Sequence, residues 1–202
     1  KNAYQGQLTE WQSFNTKLLS LKSAAEALRL PENFCSYRSS MTSDNATVTA
    51  SDLISIATSS EAAPGVYTIK VLETAAAERL RSGSFESASE ALALSGDIEI
   101  NGVVITLDEN DSLSDLRSKI NNAGAGVTAS IVSYETNDHR LTLTSGTSGS
   151  AGISLDGSVE ILAALNFGEV AAGRDAVLVI DGITITRSSN TVENVIEGVT
   201  LN

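Results

Sequence analysis

Aromatic side chains make up only 4% of this sequence, which holds one cysteine, one histidine, one tryptophan and two prolines. A single cysteine, Cys35, rules out a disulfide within the chain and any cysteine-based metal centre. No apolar run approaches the roughly 18 residues that cross a bilayer. The opening KNAYQGQLTEW also lacks the apolar stretch of a secretory signal, so no membrane insertion is expected. Cations are scarce: 13 Lys and Arg stand against 25 Asp and Glu, a net charge of −12. Because a phosphate backbone rewards clustered cations, nucleic acid is excluded as a partner. What is there is 42% hydrophobic content over 202 residues, enough for one or two cores. With few rings available, those cores must pack small aliphatic side chains between strands.

Residues Asn2 to Leu30 read as one helix, about 40 Å long at 1.5 Å per residue. Tyr4, Trp11, Leu18 and Ala25 recur every seventh position, with Phe14, Leu21 and Leu28 interleaved. That three-four alternation is a coiled-coil seam, and Pro31 stops the helix. Each large apolar group buried along such a stripe contributes roughly 1.5–3 kcal/mol, and no second helix of comparable length follows. Beyond Pro31 the period changes to two. TVTAS (Thr47 to Ser51) and GVYTIKVL (Gly65 to Leu72) are predicted strands, and TAAAERLRSGSF (Thr74 to Phe85) a linker. GDIEING and VVITL form a hairpin about Asn101-Gly102. Ser112 and Asp115 make a capping box for a short helix that presents Leu113, Leu116 and Ile120 on one face, with Gly124 at a left-handed cap. Val127 to Tyr134 and His139 to Ser145 make another hairpin. After a flexible loop, SGTSGSAG, come a short helix within Glu160 to Leu165 and a hairpin turning at Asp181-Gly182. TVENVIEGVTLN then gives a helical turn and a last strand. Because the chain ends inside that strand, it is expected to be a piece of a longer one.

The expected fold class is α+β, mostly β: a coiled-coil-type leg helix (1–31) and two β-rich head domains. The outer head comprises 32–76 and 171–202, its late strands pairing with the early ones, and 77–170 is inserted into it.

Chemistry is sparse. His139 is the lone imidazole, and no G-x-S-x-G elbow accompanies it, so a solvated hairpin histidine is the better reading. DENDSLSD (Asp108 to Asp115) resembles half a calcium loop, but it lacks the glycine at the sixth place and has Lys119 where the bidentate glutamate belongs. GTSGSAG (Gly146 to Gly152) lacks the Gly-Lys-Ser/Thr ending of a phosphate cradle. Asn45-Ala46-Thr47 is a formal glycosylation triplet of little weight. Arg79 and Arg81 read as a solvated charge pair, with contact to an acidic partner as the alternative. No catalytic residue, metal ligand or cofactor is expected.

LSDLRSKINNAGAGVTASIV (Leu113 to Val132), with its Ile120-Asn121 pair, resembles the flagellin hook IN motif. YQGQLTEWQSFNTKLLSLKSAAEAL (Tyr4 to Leu28) and APGVYTIKVLETAAAERLRSGSF (Ala63 to Phe85) resemble the N-terminal region of the hook-associated protein 2 family of flagellar filament caps. GRDAVLVIDGITITRSSNTVENVIEGVTL (Gly173 to Leu201) resembles the start of that family's C-terminal region. Only VLETAAAER departs, lacking the usual Leu-Ala pair. The resemblance implies a secreted structural protein at the filament tip, with no enzymatic activity. Its copies would form a ring-like homo-oligomer that folds and inserts exported flagellin and blocks its loss. Implied partners are other copies of itself, flagellin, an export chaperone before secretion, and host mucin. The helix seam would pack against C-terminal helices of the family. Copies carrying −12 each would repel, so ring association is expected to strengthen with salt, which screens over about 8 Å. Alternatives are an exported adhesin that binds mucin and another axial component, a flagellin or the hook–filament junction protein.

Overall fold

A computed structural model describes residues 2–29, 38–44 and 47–202, with side chains from residue 4. Pro31, Cys35 and the Asn45-Ala46 pair lie outside the described residues. In chain order the elements are α1 (Asn2–Arg29), α2 (Ala50–Leu53), β1 (Ile56–Thr58), β2 (Ile69–Glu73), β3 (Arg79–Arg81), β4 (Gly96–Ile100), β5 (Val103–Leu107) and α3 (Leu113–Ala123). Next come β6 (Val127–Glu135), β7 (Asp138–Ser145), β8 (Leu155–Gly157), α4 (Val159–Leu165), β9 (Gly168–Ala171), β10 (Ala176–Ile180), β11 (Ile183–Arg187), β12 (Val192–Ile196) and β13 (Val199–Leu201). The class is mostly β with an N-terminal helix. Two compact units are formed, Lys1–Val66 with Thr191–Asn202, and Tyr67–Asn190.

The first unit holds α1 and an antiparallel sheet ordered β1-β13-β12. Its core is small: Ala62, Val192, Ile196 and Leu201 are buried. Two expectations fail here. Thr47 to Ser51 is not a strand, because Thr49 takes the N-cap position of α2, where its hydroxyl donates to the Asp52 carboxylate and its carbonyl accepts from Asp52 N at 3.1 Å. Such local bonds compete with a ladder, and α2 results. The predicted helical turn after Thr191 is instead the strand β12. Val192 and Ile196 must be buried, and Gly198, at φ 68°, turns the chain into β13. A Cβ on Gly198 would sit 2.3 Å from Ala62 N, so only glycine fits.

The second unit contains three sheets, ordered β11-β10-β2, β6-β7-β3-β9 and β5-β4-β8. The late-with-early strand pairing is present in both units: β13 on β1, and β10 on β2. The linker expected at Thr74 to Phe85 carries β3, which pairs with β7 and β9. Leu80 from β3, Leu141 and Leu143 from β7, Ile98 and Ile100 from β4, and Ile105 and Leu107 from β5 join one cluster with Leu113, Leu116 and Ile120 of α3 and Ile161 and Leu165 of α4. The two sheets thus turn their inner faces to a shared core.

Helix α3 forms because Ser112 and Asp115 cap it reciprocally: Asp115 N donates to Ser112 Oγ at 3.2 Å, and Ser112 N to Asp115 Oδ2 at 2.9 Å. It ends on Gly124 in the left-handed region, φ 69°. Both hairpin turns use the conformation that their residues favour, Asn101 and Gly102 at φ 51° and 81°, Asp181 and Gly182 at φ 48° and 85°.

Leu116 is fully buried. Leu116→Ala is expected to destabilise the second unit by about 2–5 kcal/mol, read as a fall in the urea midpoint at unchanged slope.

The Asp115 carboxyl is held below the usual carboxylate range, first by the Ser112 hydroxyl and then by the Ser112 N–H. Asp138 is held low by the Arg140 guanidinium and the Ser84 hydroxyl, and Asp108 by the N–H and side chain of Asn110. A carboxyl whose folded-state pKa is lowered contributes stability above its ordinary value near 4, lost as pH falls through the folded value. Urea midpoints should therefore drop between about pH 5 and pH 2, and Asp115→Asn should flatten that fall.

Candidate assembly surfaces

Two kinds of surface are candidates: the stripe on α1 and the region around the Ile120-Asn121 pair. Along α1, Tyr4 is 80% exposed, Trp11 69%, Phe14 52%, Leu18 46%, Leu21 65% and Leu28 65%, with Ala25 exposed among them. Trp11 and Phe14 meet edge to face, ring centres 6.0 Å apart. Nothing among the described residues covers the stripe. Leu8 and Leu19 are exposed beside it, so the apolar surface is wider than the seam read from sequence.

Leu113, Leu116 and Ile120 are all fully buried under the sheets. Asn121 points the other way, to the edge of β6. Its Oδ1 accepts from Ala129 N at 2.8 Å, and its Nδ2 donates to Ala129 O at 2.9 Å. β6 is the outer strand of its sheet, and alternate residues of such a strand aim both backbone groups outward with no ladder partner. The asparagine amide supplies one donor and one acceptor in the geometry of a missing strand. It fixes α3 to β6 and closes that point of the edge to other chains. Gly124 lets the chain reverse so that β6 can run back past Asn121.

A second asparagine was legible only as a turn residue. Asn101 Nδ2 donates to Ala125 O at 2.9 Å, and Oδ1 accepts from Ser154 N at 2.9 Å. It ties the β4–β5 turn to the loop after α3 and to the start of β8. Ser82 is buried, its Oγ accepting from Leu141 N at 2.9 Å. No sequence signal marks either side-chain role, because both partners are main-chain groups distant in the chain.

The loop Ser145 to Gly152, expected to be flexible, is tied down within the second unit. Ser150 N and Oγ donate to the Asp175 carboxylate at 2.8 and 2.9 Å, and Ser148 Oγ donates to Ser188 O at 2.7 Å. Glu78 accepts from Ile153 N. A Cβ on Gly149 would lie 2.7 Å from that of Ser188, so the glycine permits close approach. Asn190 exchanges two hydrogen bonds with the main chain of Ala75, at 2.7 and 3.0 Å. These contacts bind β10–β11 to the segment entering β3. The loop's donors face a carboxylate of the chain itself, which leaves no anion cradle.

His139 Nδ1 lies 2.7 Å from Ser133 Oγ, but Asp138 is held by Arg140 at 2.7 and 3.0 Å and does not orient the ring. The serine–histidine contact therefore lacks the third member of a triad. Asp108, Asp111 and Asp115 each bind their own loop or Lys119, and no cluster that could hold a metal occurs among the described residues.

Asn121→Ala should lower stability by about 1–3 kcal/mol and speed amide exchange at Ala129. Asn122→Ala, one residue along on the exposed side, should stay within about 0.5 kcal/mol of the parent. Equal effects would remove the clamp's role.

Residues 1–78 match the family model described as the flagellar hook-associated protein 2 N-terminus, and residues 93–147 match the flagellin hook IN motif. The flagellar hook-associated protein 2 of Escherichia coli K12 is 29% identical over 215 residues, covering 96% of this chain and 44% of that protein. The chain thus spans less than half the length of that curated relative. Among solved structures, the D2–D3 domains of the flagellar cap protein FliD from Serratia marcescens align with TM-score 0.66 at 30% identity, over 73% of this chain and 90% of that one. FliD from Pseudomonas aeruginosa aligns with TM-score 0.64 at 27% identity, over 73% and 76%.

Proposed function

The chain belongs to the flagellar hook-associated protein 2 family of structural flagellar cap proteins, and we propose that it is the leg-and-head portion of a cap at the distal end of the flagellar filament. In this reading several copies assemble through the α1 stripe and the β-rich heads. Exported flagellin folds and inserts beneath them, and its loss to the medium is blocked. The protein reaches the tip by flagellar export, with a chaperone as partner beforehand. Residues 77–170 act as an insertion carried by the strands on either side of it in sequence.

One observation carries the reading. Tyr4, Trp11, Phe14, Leu18, Leu21 and Leu28 form a continuous apolar stripe on a 28-residue helix, every one of them at least 46% exposed. Contiguous exposed apolar surface of this kind marks a contact with other protein. Large rings at heptad spacing suit a helical partner rather than a small ligand. No reaction is needed for such a role: shape, packing and subunit contact suffice. The adhesin reading has less support, since exposed rings on the heads are few among the described residues, with Tyr134 and Tyr67 the exposed tyrosines there.

The test is complementation. Cells lacking their own cap should regain filaments and motility with the full-length parent protein. With Trp11→Asp and Phe14→Asp together they should shed monomeric flagellin into the medium. Filaments of normal length from the doubly substituted protein would overturn the stripe's role, and failure of the parent protein would overturn the cap.

A further inference from the structure

Two sheet faces of the second unit carry opposite charge. On the four-stranded sheet, Leu80, Leu141, Leu143 and Ala129 point into the core, so their strand neighbours face away from it. The register places Arg79 opposite Thr144, Arg81 opposite Thr142, and Val132 opposite Arg140. The outer face therefore presents Arg79, Arg81 and Arg140 among threonines and serines, with Val132 and the Asp138 carboxylate on the same face. The Tyr134 ring lies 5.9 Å from the Arg81 guanidinium and 5.6 Å from that of Arg140. Arg140 is paired with Asp138. Arg79 and Arg81 have no ion-pair partner among the described residues.

The three-stranded sheet β5-β4-β8 does the opposite. Ile98, Ile100, Ile105 and Leu107 point inward. Outward go Asp97, opposite Thr106, and Glu99, opposite both Val104 and Asp156. Asp97 accepts the Thr106 hydroxyl at 2.6 Å, and Asp156 accepts from Gly157 N at 2.7 Å. Among the described residues no cation pairs with any of the three carboxylates. Lys119, which reaches Thr106 O at 3.0 Å, is taken by Asp111. Like charges directly across a strand pair are destabilising, so Glu99 and Asp156 gain from a cation supplied from outside.

We propose that the arginine face of the four-stranded sheet docks on the carboxylate face of the three-stranded sheet in a second copy of this chain, joining heads head to tail. The inference rests on the cap reading above and names the surfaces by which its copies meet. Charge complementarity selects the occupant: an acidic chain of net −12 carries one compact arginine face, and its copies carry the matching acids. Spacing agrees as well, because Arg79 and Arg81 repeat every second residue of a strand, about 7 Å, as Asp97 and Glu99 do. Different surfaces meeting in one contact make a heterologous interface, which closes into a ring when the rotation between copies allows. A charge of −12 treated as uniform predicts association that rises with salt. Charge sorted onto two faces predicts association that falls with salt.

Sedimentation of the full-length protein decides between them. Assembly should weaken from about 0.05 to 0.5 M salt. Arg79→Glu with Arg81→Glu should weaken it by roughly tenfold or more, and Glu99→Lys with Asp156→Lys likewise. Neither doubly substituted protein should assemble alone at a concentration where the parent does, yet a one-to-one mixture should co-assemble, since one then carries two acidic faces and the other two basic ones. The protein with all four substitutions should regain assembly, which also shows that the substituted heads fold. Assembly unmoved by either reversal, strengthened by salt, or unrescued in the mixture overturns the docking faces. Heparin binding abolished by Arg79→Glu with Arg81→Glu, while assembly is unchanged, would assign the arginine face to a sulfated polysaccharide and also overturn them. The cap reading is judged separately, by motility with the parent protein.

Discussion

One dry cluster governs the second unit. Ile98, Ile100, Leu113, Leu116, Ile120, Leu141, Leu143, Ile161 and Leu165 are each no more than 1% exposed, and they come from two sheets and two helices. Side chains alternate along a strand, so slipping any one strand by a residue would trade its buried set for its exposed set. For β3 that slip would put Arg79 and Arg81 into hydrocarbon and Leu80 into water. The register that gathers the arginines is therefore fixed by the burial of leucine and isoleucine, not by any attraction between the charges. Function at the surface follows from packing beneath it.

A core whose buried members are all aliphatic, with rings only at its margin in Phe85 and Phe167, has little shape to enforce uniqueness, and polar ties make up the difference. Asn121 on Ala129, Asn101 between Ala125 and Ser154, Ser82 on Leu141 and Asn190 on Ala75 each join segments far apart in the chain. No buried side-chain polar atom among the described residues lacks a partner. Leaving such a group unmet costs about as much as the bond contributes or more. Alternative packings of the same aliphatic residues would strand these groups, which favours one arrangement over near neighbours.

Local signals made much of this legible. The capping box at Ser112, the αL glycine at Gly124 and the two-residue turns at Asn101-Gly102 and Asp181-Gly182 are decided within a few residues, so the sequence carries them openly. β3 escaped notice because three residues cannot show a period, and its strand character comes from β7 and β9 on either side. Thr47 to Ser51 misled because β-branched residues favour a strand only where a neighbour offers a ladder. The loop Ser145 to Gly152 looked loose because glycine and serine serve mobility and close packing equally well. Asp175 and Ser188, which decide between the two, lie some distance along the chain. Of the two charged faces only the Arg79–Arg81 pair is visible in the sequence: Arg140 joins it, and Asp156 joins Glu99, only through register.

The α1 stripe and the sorted faces do different physical work in the proposed cap. Apolar burial is non-directional: it adds affinity to whatever fits and does not choose among rotations about the helix axis. Opposed charges act the other way, contributing modestly to affinity but strongly penalising a mismatched approach. Beyond a Debye length, about 8 Å at physiological salt, copies of a chain this acidic meet only screened repulsion. Inside that distance the sign depends on which faces meet. Carboxylate on carboxylate pushes apart, while arginine on carboxylate draws in. A greasy leg alone would permit many aggregates, and a charged head alone would hold weakly. Together they describe a subunit that resists collapse in solution yet admits one orientation of its neighbour, as a ring of fixed hand requires.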